Sequence, residues 1–455
     1  MRKSVYVALT AVTLSLAYNG AAWSQATQPI FVPPPPNVTG VANSGWRQHD
    51  LDKVEAESRV RGGEILRGDR YALRSTLDYV SGIEESFVSP DKLLALRTKR
   101  LQNLVNRHRK ELELDPAGLP IVRQRALLID ATPEQLAAAK AAGFGVTDEW
   151  SDAALGLRLT TLSTPASTPT AQAIAALASA NPGLQVEPDY VYEPAGSAGA
   201  EAGSSAGSAQ APAARPAAPA LVMIDGGVAT DHAALKNSGI ETMGFAGKYQ
   251  ATGHGTAVAS LLVGNLGEFR GAALGARLYS ADIYGGNPAS GSASRMVKAL
   301  AWAASKRPAV VTVSLAGPKS VAVGRAIAAV QKGGAKVVAA TGNDGSMAPA
   351  SYPASYAGVI SVTGTDRTGK PIMEAGRAEH VDFGAPAVDL VAAVPGSGFM
   401  AVRGTSFAAP LVAGRLIQTS SFPRLIAEAV PGSGEVGLGI VCGKCGVSPT
   451  TLAKR

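Results

Sequence analysis

The chain has 455 residues, 46% of them hydrophobic and 17% charged, with a formal net charge of +7. That length leads to an expectation of two or three domains, and the apolar share is enough for a sizeable core. The Lys and Arg residues are scattered, not run together, so no nucleic-acid footprint is read and no nucleic-acid partner is expected.

Arg2 and Lys3 precede an apolar run from Val5 to Ala17, and small residues then lead to Ala22-Trp23-Ser24 and Ser24-Gln25-Ala26. This is the pattern of a secretory signal peptide over 1–26, which predicts export to a periplasmic or extracellular space. The apolar run is too short to span a bilayer comfortably and no later stretch is long enough, so no stable membrane span is expected. Residues 27–43 carry Pro33-Pro34-Pro35-Pro36 and read as an extended Pro-rich linker.

Residues 44–115 are charged and helix-favouring, and their role is not given by the sequence. Leu93, Leu94, Leu96, Leu101, Leu104 and Val105 are spaced as the apolar stripe of a helix, with Arg97, Lys99, Arg100, Arg107 and Arg109 as its wet face. Residues 120–195 read as a small α+β unit. Val122–Ile129 is a predicted strand, and Thr132 caps a helix to about Ala142 with Pro133 in its first turn. Leu155–Leu159 is a second strand, Ala171–Ala180 a second helix and Leu184–Tyr192 a last strand. This β-α-β-α-β order suits a ferredoxin-like layer of helices on an antiparallel sheet. Residues 196–219 are almost entirely Ala, Gly, Ser and Pro, which cannot build a core, so they read as a protease-accessible linker.

From residue 220 apolar strands alternate with helices. Strands are predicted at Ala220–Ile224, Leu278–Tyr284, Val310–Leu315, Lys336–Ala340, Val359–Val362 and Val388–Val391. Helices are predicted at His254–Val263, Met296–Ser305 and Val321–Gln331. Strands that are apolar throughout and alternate with helices indicate an α/β fold, a parallel sheet covered on both faces. Functional residues of such sheets gather beyond the carboxyl ends of strands, where Asp225, Ser314 and Asn343 fall. In Gly404-Thr405-Ser406-Phe407-Ala408-Ala409-Pro410 the Gly-Thr lead allows a sharp turn, and Ser406 then sits at a helix N-terminus, with Pro410 compatible with the first turn. Free N–H groups and the positive dipole end there suit an oxyanion. The remaining residues, 422–455, form a tail carrying Cys442 and Cys445, the only cysteines. Two ligands with no nearby His do not make a zinc site, so a small local disulfide is expected.

Taken singly, each polar residue has an ordinary explanation. Asp225 can cap a loop, His254 can pack at a helix start, Asn343 before Asp-Gly can be a turn residue, and Ser406 can be an N-cap. Together they stand in ordered blocks: Leu221-Val222-Met223-Ile224-Asp225, Thr252-Gly253-His254-Gly255-Thr256, Ser314-Leu315-Ala316-Gly317-Pro318, Thr341-Gly342-Asn343-Asp344-Gly345 and Gly404-Thr405-Ser406. These blocks resemble the signature segments of the subtilisin-like serine peptidases, in the chain order Asp, His, Ser. The resemblance covers about 220 to 417, within an expected peptidase domain at 220–421, and implies a subtilisin-like parallel sheet.

It also implies a serine-type endopeptidase that works through an acyl-enzyme. Ser406 would be nucleophile, His254 base and Asp225 its orienter. Asn343 and the Ser406 N–H would form the oxyanion hole, and Ser314, Leu315, Ala316 and Gly317 the strand that pairs with a protein or peptide substrate. The 120–195 unit resembles the inhibitory propeptide of such enzymes, which implies an inhibited precursor whose segment after Tyr192 lies in the cleft. Ala316 and Ala233 depart from the family pattern, where Gly and Pro are usual, and the Ala316 methyl bears on side-chain preference. No acidic cluster supports a calcium site, so neither metal nor cofactor is expected. The other reading is a non-catalytic binding protein on a degenerate peptidase fold.

Overall fold

In the computed structural model the described residues are 89–195, 218–396, 398–443 and 445. The expected signal peptide, the Pro-rich linker, most of the 44–115 region, nearly all of the 196–219 linker and residues 446–455 lie outside them.

Ser89 caps α1 (Pro90–Arg107), its side chain accepting the Lys92 N–H, and Pro90 stands in the first turn, where its missing N–H costs no helical bond. Then come β1 (Leu112–Leu114), β2 (Pro120–Ile129), α2 (Pro133–Ala141), β3 (Gly145–Asp152), β4 (Leu157–Ser163), α3 (Thr170–Ala180), β5 (Val186–Tyr190) and the short β6 (Glu193–Pro194). Strands β1 to β5 form one antiparallel sheet in which β2 pairs with β1, β4 and β5, and β3 pairs with β4. The expected order is present, with two strands added to its sheet: β1 ahead of it and β3 within it. Strand β3 was missed because most of its side chains are exposed, so no apolar alternation marks it. Helix α2 begins as predicted, Thr132 and Gln135 forming a reciprocal capping box.

One face of this sheet buries Ala126, Leu128 and Leu162 under Ala139 of α2 and Ile174 and Leu177 of α3. The alternate residues Leu127, Ile129, Leu157 and Leu159 face the other way, into a cluster with two helices of the C-terminal half. In α1 the stripe is narrower than predicted: Leu93, Leu101, Leu104 and Val105 are buried, Leu94 is half-buried and Leu96 is exposed.

The C-terminal half is built on β7 (Ala220–Asp225), β8 (Glu241–Gly244), α4 (Gly253–Val263), a minor hairpin β9 (Asn265–Leu266) and β10 (Phe269–Arg270), β11 (Arg277–Asp282), α5 (Ala293–Ser305), β12 (Val310–Val313), β13 (Leu315–Ala316), α6 (Val321–Lys332), β14 (Lys336–Ala340), β15 (Ile360–Thr365), β16 (Phe383–Pro386), β17 (Leu390–Ala393), β18 (Phe399–Val402), α7 (Thr405–Thr419) and α8 (Phe422–Glu428). Seven strands form a parallel sheet in the order β16-β15-β14-β12-β7-β11-β8. Its central strands are apolar on both sides. In β7, Leu221 and Met223 pack with α4 and α7, while Val222 and Ile224 pack with α5 and α6. The fold is therefore the α/β arrangement expected, preceded by a small α+β unit.

One strand assignment needed correction and two edge strands were missed. Val388–Val391 was expected as a further strand like the rest, but β17 pairs antiparallel with β18 outside the main sheet. The edge strands β8 and β16 were not predicted, being short and rich in Gly, Thr and Pro. Cys442 and Cys445 are joined by a disulfide, as expected.

The two halves meet through charged as well as apolar groups. From β5, Glu187 accepts the N–H groups of Val321 and Ala322 and the Ser320 hydroxyl at the start of α6. Asp189 accepts the Ser294 N–H and hydroxyl at the start of α5. Two carboxylates thus satisfy helix N-terminal donors that would otherwise lack partners, each at the positive end of a dipole.

Candidate active site

Asp225 ends β7, near the middle of the sheet, and is fully buried. His254 is the second residue of α4, whose start is fixed by the Thr252 hydroxyl accepting the Gly255 N–H at 3.0 Å. Gly255 is required here: a Cβ on it would lie 2.2 Å from the Gly226 carbonyl oxygen, so only glycine lets α4 sit against the loop after β7. That approach brings His254 Nδ1 to 2.8 Å from Asp225 Oδ1, which also accepts the Gly226 N–H at 2.7 Å. The other ring nitrogen, Nε2, is buried and has no hydrogen-bond partner among the described residues.

Ser406 is the second residue of α7. Gly404 precedes it with φ at 129°, a conformation closed to other residues, which makes the sharp entry possible. Pro410 is inside the helix and not in its first turn, correcting the expectation. A proline there donates nothing to the carbonyl four residues back. That carbonyl is Ser406 O, and the Ser314 hydroxyl donates to it instead at 2.8 Å. The Ser406 hydroxyl in turn donates to Ser314 O at 2.9 Å. The helix interruption thus ties α7 to the strand segment 314–316.

Asn343 follows β14. Its side-chain oxygen accepts the Thr405 N–H at 3.0 Å, which leaves its amide Nδ2 pointing at the carbonyl oxygen of Ala195 from 2.6 Å. The Ser406 N–H donates to the same oxygen at 2.8 Å, and the Thr405 hydroxyl stands at 3.4 Å. One backbone carbonyl, from the end of the N-terminal half, is therefore held by the two donors that the sequence had paired.

The segment leading to that carbonyl is a strand in a cleft. Glu193 pairs with Ala316 and Pro194 with Leu315, antiparallel, and the Ala195 N–H donates to Ser314 O at 3.0 Å. On its other side the Tyr192 N–H donates to Gly291 O at 2.7 Å, and Val191 bridges to Ser292. Tyr192 is fully buried. Its hydroxyl donates to Pro318 O at 2.9 Å, and its own carbonyl accepts the Tyr284 hydroxyl at 2.8 Å. Burial pushes both phenols well above their ordinary pKa, so both remain donors. Asp282 holds the Tyr284 loop by accepting the N–H groups of Gln250, Tyr284 and Gly285, while burial raises its carboxyl.

Helix α1 reaches the same place. Arg97 pairs with Asp344 at 2.9 Å, and Arg100 pairs with both Asp344 at 2.9 Å and Glu193 at 3.2 Å. Leu93 is buried, its Cδ1 2.9 Å from where a Cβ on Gly345 would stand. Two residues expected on a wet face thus grip the loop after Asn343 and the strand in the cleft. Their role was not legible because a pattern of arginines on a helix looks the same toward water or a carboxylate.

The structure brings together Asp225 with His254, and Asn343 and Ser406 with Ser314, Leu315, Ala316 and Gly317 around one backbone segment. The residues missed by sequence reading were Thr405, Gly291, Tyr284, Pro318 and Ala195. Ala195 acts through its backbone, which leaves no side-chain signal. Among the described residues no group of three or more His, Cys, Asp or Glu is placed to hold a metal ion.

Comparison with known proteins decides the lineage. The model of the subtilase family matches residues 218–430. Subtilisin Savinase of Lederbergia lenta is 33% identical over 199 residues, which are 43% of this chain and 73% of that protein. The chain belongs to the subtilase family. It is accordingly a serine-type endopeptidase. The major intracellular serine protease of Bacillus subtilis (strain 168) is 31% identical over 230 residues, covering 46% of this subtilase and 72% of the relative. Among solved structures, fervidolysin of Fervidobacterium pennivorans, described as a keratinolytic enzyme related to subtilisin, aligns with a TM-score of 0.57 at 20% identity. That alignment covers 74% of this chain and 63% of the other, and it bears on fold alone.

Proposed function

We propose that this subtilase is exported as an inhibited precursor and cuts its own chain between Ala195 and Gly196. Asp225, His254 and Ser406 are then the catalytic triad. The Ser406 hydroxyl leaves Ser314 O and gives its proton to His254 Nε2 as its oxygen attacks the Ala195 carbonyl carbon. Asp225 holds the ring with Nε2 as the acceptor and stabilises the imidazolium. The charge that develops on the carbonyl oxygen falls between the Asn343 amide and the Ser406 N–H. Collapse expels the Gly196 amine, which takes the proton from His254, and water hydrolyses the acyl-enzyme by the same route. The chemistry needs no cofactor.

The observation that carries this reading is the Ala195 oxygen, 2.6 Å from Asn343 Nδ2 and 2.8 Å from Ser406 N. A peptide carbonyl in that position is the group a serine peptidase attacks. The same geometry supports inhibition by the 120–195 unit, since the leading strand fills the cleft that a substrate would enter. Helix α1, the Glu187 and Asp189 caps and the shared apolar cluster support retention of the cut unit. Among the described residues no helix is long and apolar enough to cross a membrane. Export rests on the sequence of residues 1–26.

The test is an active-site serine probe. A fluorophosphonate should label the processed protein at Ser406, and Ser406→Ala should abolish the label. Processed, folded protein that takes no label and hydrolyses no peptide is the result that refutes catalysis and favours a binding protein on this fold.

A further inference from the structure

The two donors that meet the Ala195 oxygen stand on separate chain segments. Asn343 is on the loop after β14, and the Ser406 N–H is in the first turn of α7. The spacing of those segments therefore sets the geometry of the hole between them. Two contacts join them directly: the Thr405 N–H donates to Asn343 Oδ1 at 3.0 Å, and the Thr405 hydroxyl donates to Gly342 O at 3.1 Å. A third segment, 374–376, is bonded to both sides.

The backbone of that segment holds the Asn343 loop. The Gly345 N–H donates to Glu374 O at 3.0 Å, and the Gly376 N–H donates to Gly342 O at 2.6 Å, so the loop is pinned on either side of Asn343. Residue 376 must be glycine for this approach, since a Cβ on it would lie 2.3 Å from Thr341 O. The side chain of Glu374 holds the other segment. Its carboxylate accepts from Arg403 Nε at 2.5 Å and from Arg403 Nη2 at 3.0 Å, and Arg403 directly precedes Gly404. The Glu374 side chain is 5% exposed and the Arg403 side chain 18%, so water screens the pair little. A two-bond fork of this kind fixes direction as well as distance.

We propose that Glu374 and Arg403 are positioning residues that hold the two oxyanion donors at the spacing catalysis needs. This rests on the reading of Asn343 and the Ser406 N–H as those donors. The entry to Ser406 has reason to need such a brace. Gly404 is the most permissive residue type, α7 begins with no side-chain cap, and β18 just upstream pairs only with β17 outside the main sheet. Besides the Arg403 fork, the Gly404 N–H donates to Ala387 O at 2.9 Å. Unlike Arg97 and Arg100, which also grip the loop after Asn343, both members of this pair belong to the half that remains after processing. A buried ion pair contributes little net stability, because desolvation of the charges offsets their attraction. Its value here is directional.

The test uses processed enzyme from the full chain and a peptide anilide with the sequence of residues 192–195. Glu374→Gln keeps the shape of the side chain and breaks the fork. It should lower kcat by about ten- to a hundredfold, below the loss of about 10²–10³-fold for a missing oxyanion donor, and leave KM within about twofold. Arg403→Lys, which keeps the charge without the fork, should lose less. Glu374→Met with Arg403→Met should keep a Tm close to wild-type and still lose kcat, because two apolar side chains can replace a buried pair in stability but not in direction. The deciding comparison repeats Glu374→Gln in an Asn343→Leu background. There it should cost less than about twofold in kcat, since the donor it positions is gone. Where Glu374→Gln yields no folded protein, Arg403→Lys takes its place in that comparison. The same fold-loss in both backgrounds, a change confined to KM, or full kcat in the double methionine variant overturns the proposal. An unchanged kcat for Asn343→Leu alone, or wild-type protein that takes no fluorophosphonate label, refutes the underlying reading instead.

Discussion

Shortening Leu93 to alanine should free the enzyme from its N-terminal half without touching the proposed triad. Leu93 is 6% exposed, on the α1 face that meets Gly345. Cutting a buried leucine back to alanine costs about 2–3 kcal/mol where the surroundings partly collapse. If that loss falls on docking, retention weakens by about 30- to 150-fold, at 1.4 kcal/mol for each factor of ten. Arg100→Ala should do less, although it removes pairs to both Asp344 and Glu193. The Arg100 side chain is 43% exposed, so solvent screens both pairs, and about 0.5–1 kcal/mol, or two- to fivefold, is expected. The assay dilutes the self-processed complex and follows peptide hydrolysis from time zero. Wild-type should show a lag while the bound half dissociates, Arg100→Ala a shorter one, and Leu93→Ala little or none. A lag in Leu93→Ala within twofold of wild-type would show that α1 has no part in retention.

Three more expectations follow from the geometry. Asn343→Leu should lower kcat by about 10²–10³-fold with little change in KM, a range set by subtilisin itself for the loss of one oxyanion donor; steady-state kinetics with an unchanged kcat would mean another group fills that role. Gly255→Ala should lower both activity and Tm, because its Cβ would lie 2.2 Å from the Gly226 oxygen and push α4, with His254, away from Asp225; a wild-type melting curve would contradict this. Burial raises the Glu187 carboxyl above its ordinary range, outweighing the donors from Ser320, Val321 and Ala322 that lower it. A carboxyl with a higher pKa docked than free holds its proton more tightly when docked. Its contribution is then fully present below the free pKa and is lost as pH rises through the docked one. Release of the cut half should therefore quicken from acid toward neutral pH, and Glu187→Gln should flatten that slope; a slope of opposite sign would refute it.

Much of the C-terminal half was legible because its strands are buried on both faces. Strands such as β12 (Val-Val-Thr-Val) and β14 (Lys-Val-Val-Ala-Ala) have almost nothing polar to confuse the reading. The blocks around Asp225, His254, Asn343 and Ser406 were legible because each couples a reactive side chain to glycines with a backbone task, as Gly255 and Gly404 show. The edge strands β8 and β16 and the exposed β3 carry no such signature. Pro410 was misplaced because a proline interior to a helix is ordinarily unfavourable, and only the Ser314 hydroxyl supplied to Ser406 O offsets it here. The clasp made by Arg97 and Arg100 was hidden because its partners, Asp344 and Glu193, are remote in sequence. The residue proposed as the one attacked was hidden most deeply, since Ala195 contributes a carbonyl and a methyl that any alanine has.

The central claim is that the Ala195 carbonyl lies where Ser406 attacks it. Intact-mass and N-terminal analysis of the purified protein, in a host lacking other proteases, tests this most directly. Wild-type should yield a C-terminal fragment beginning at Gly196, together with its partner ending at Ala195. Ser406→Ala should remain one chain after signal removal. A Ser406→Ala protein cut at the same bond, or a wild-type protein that stays uncut while folded, would contradict the account.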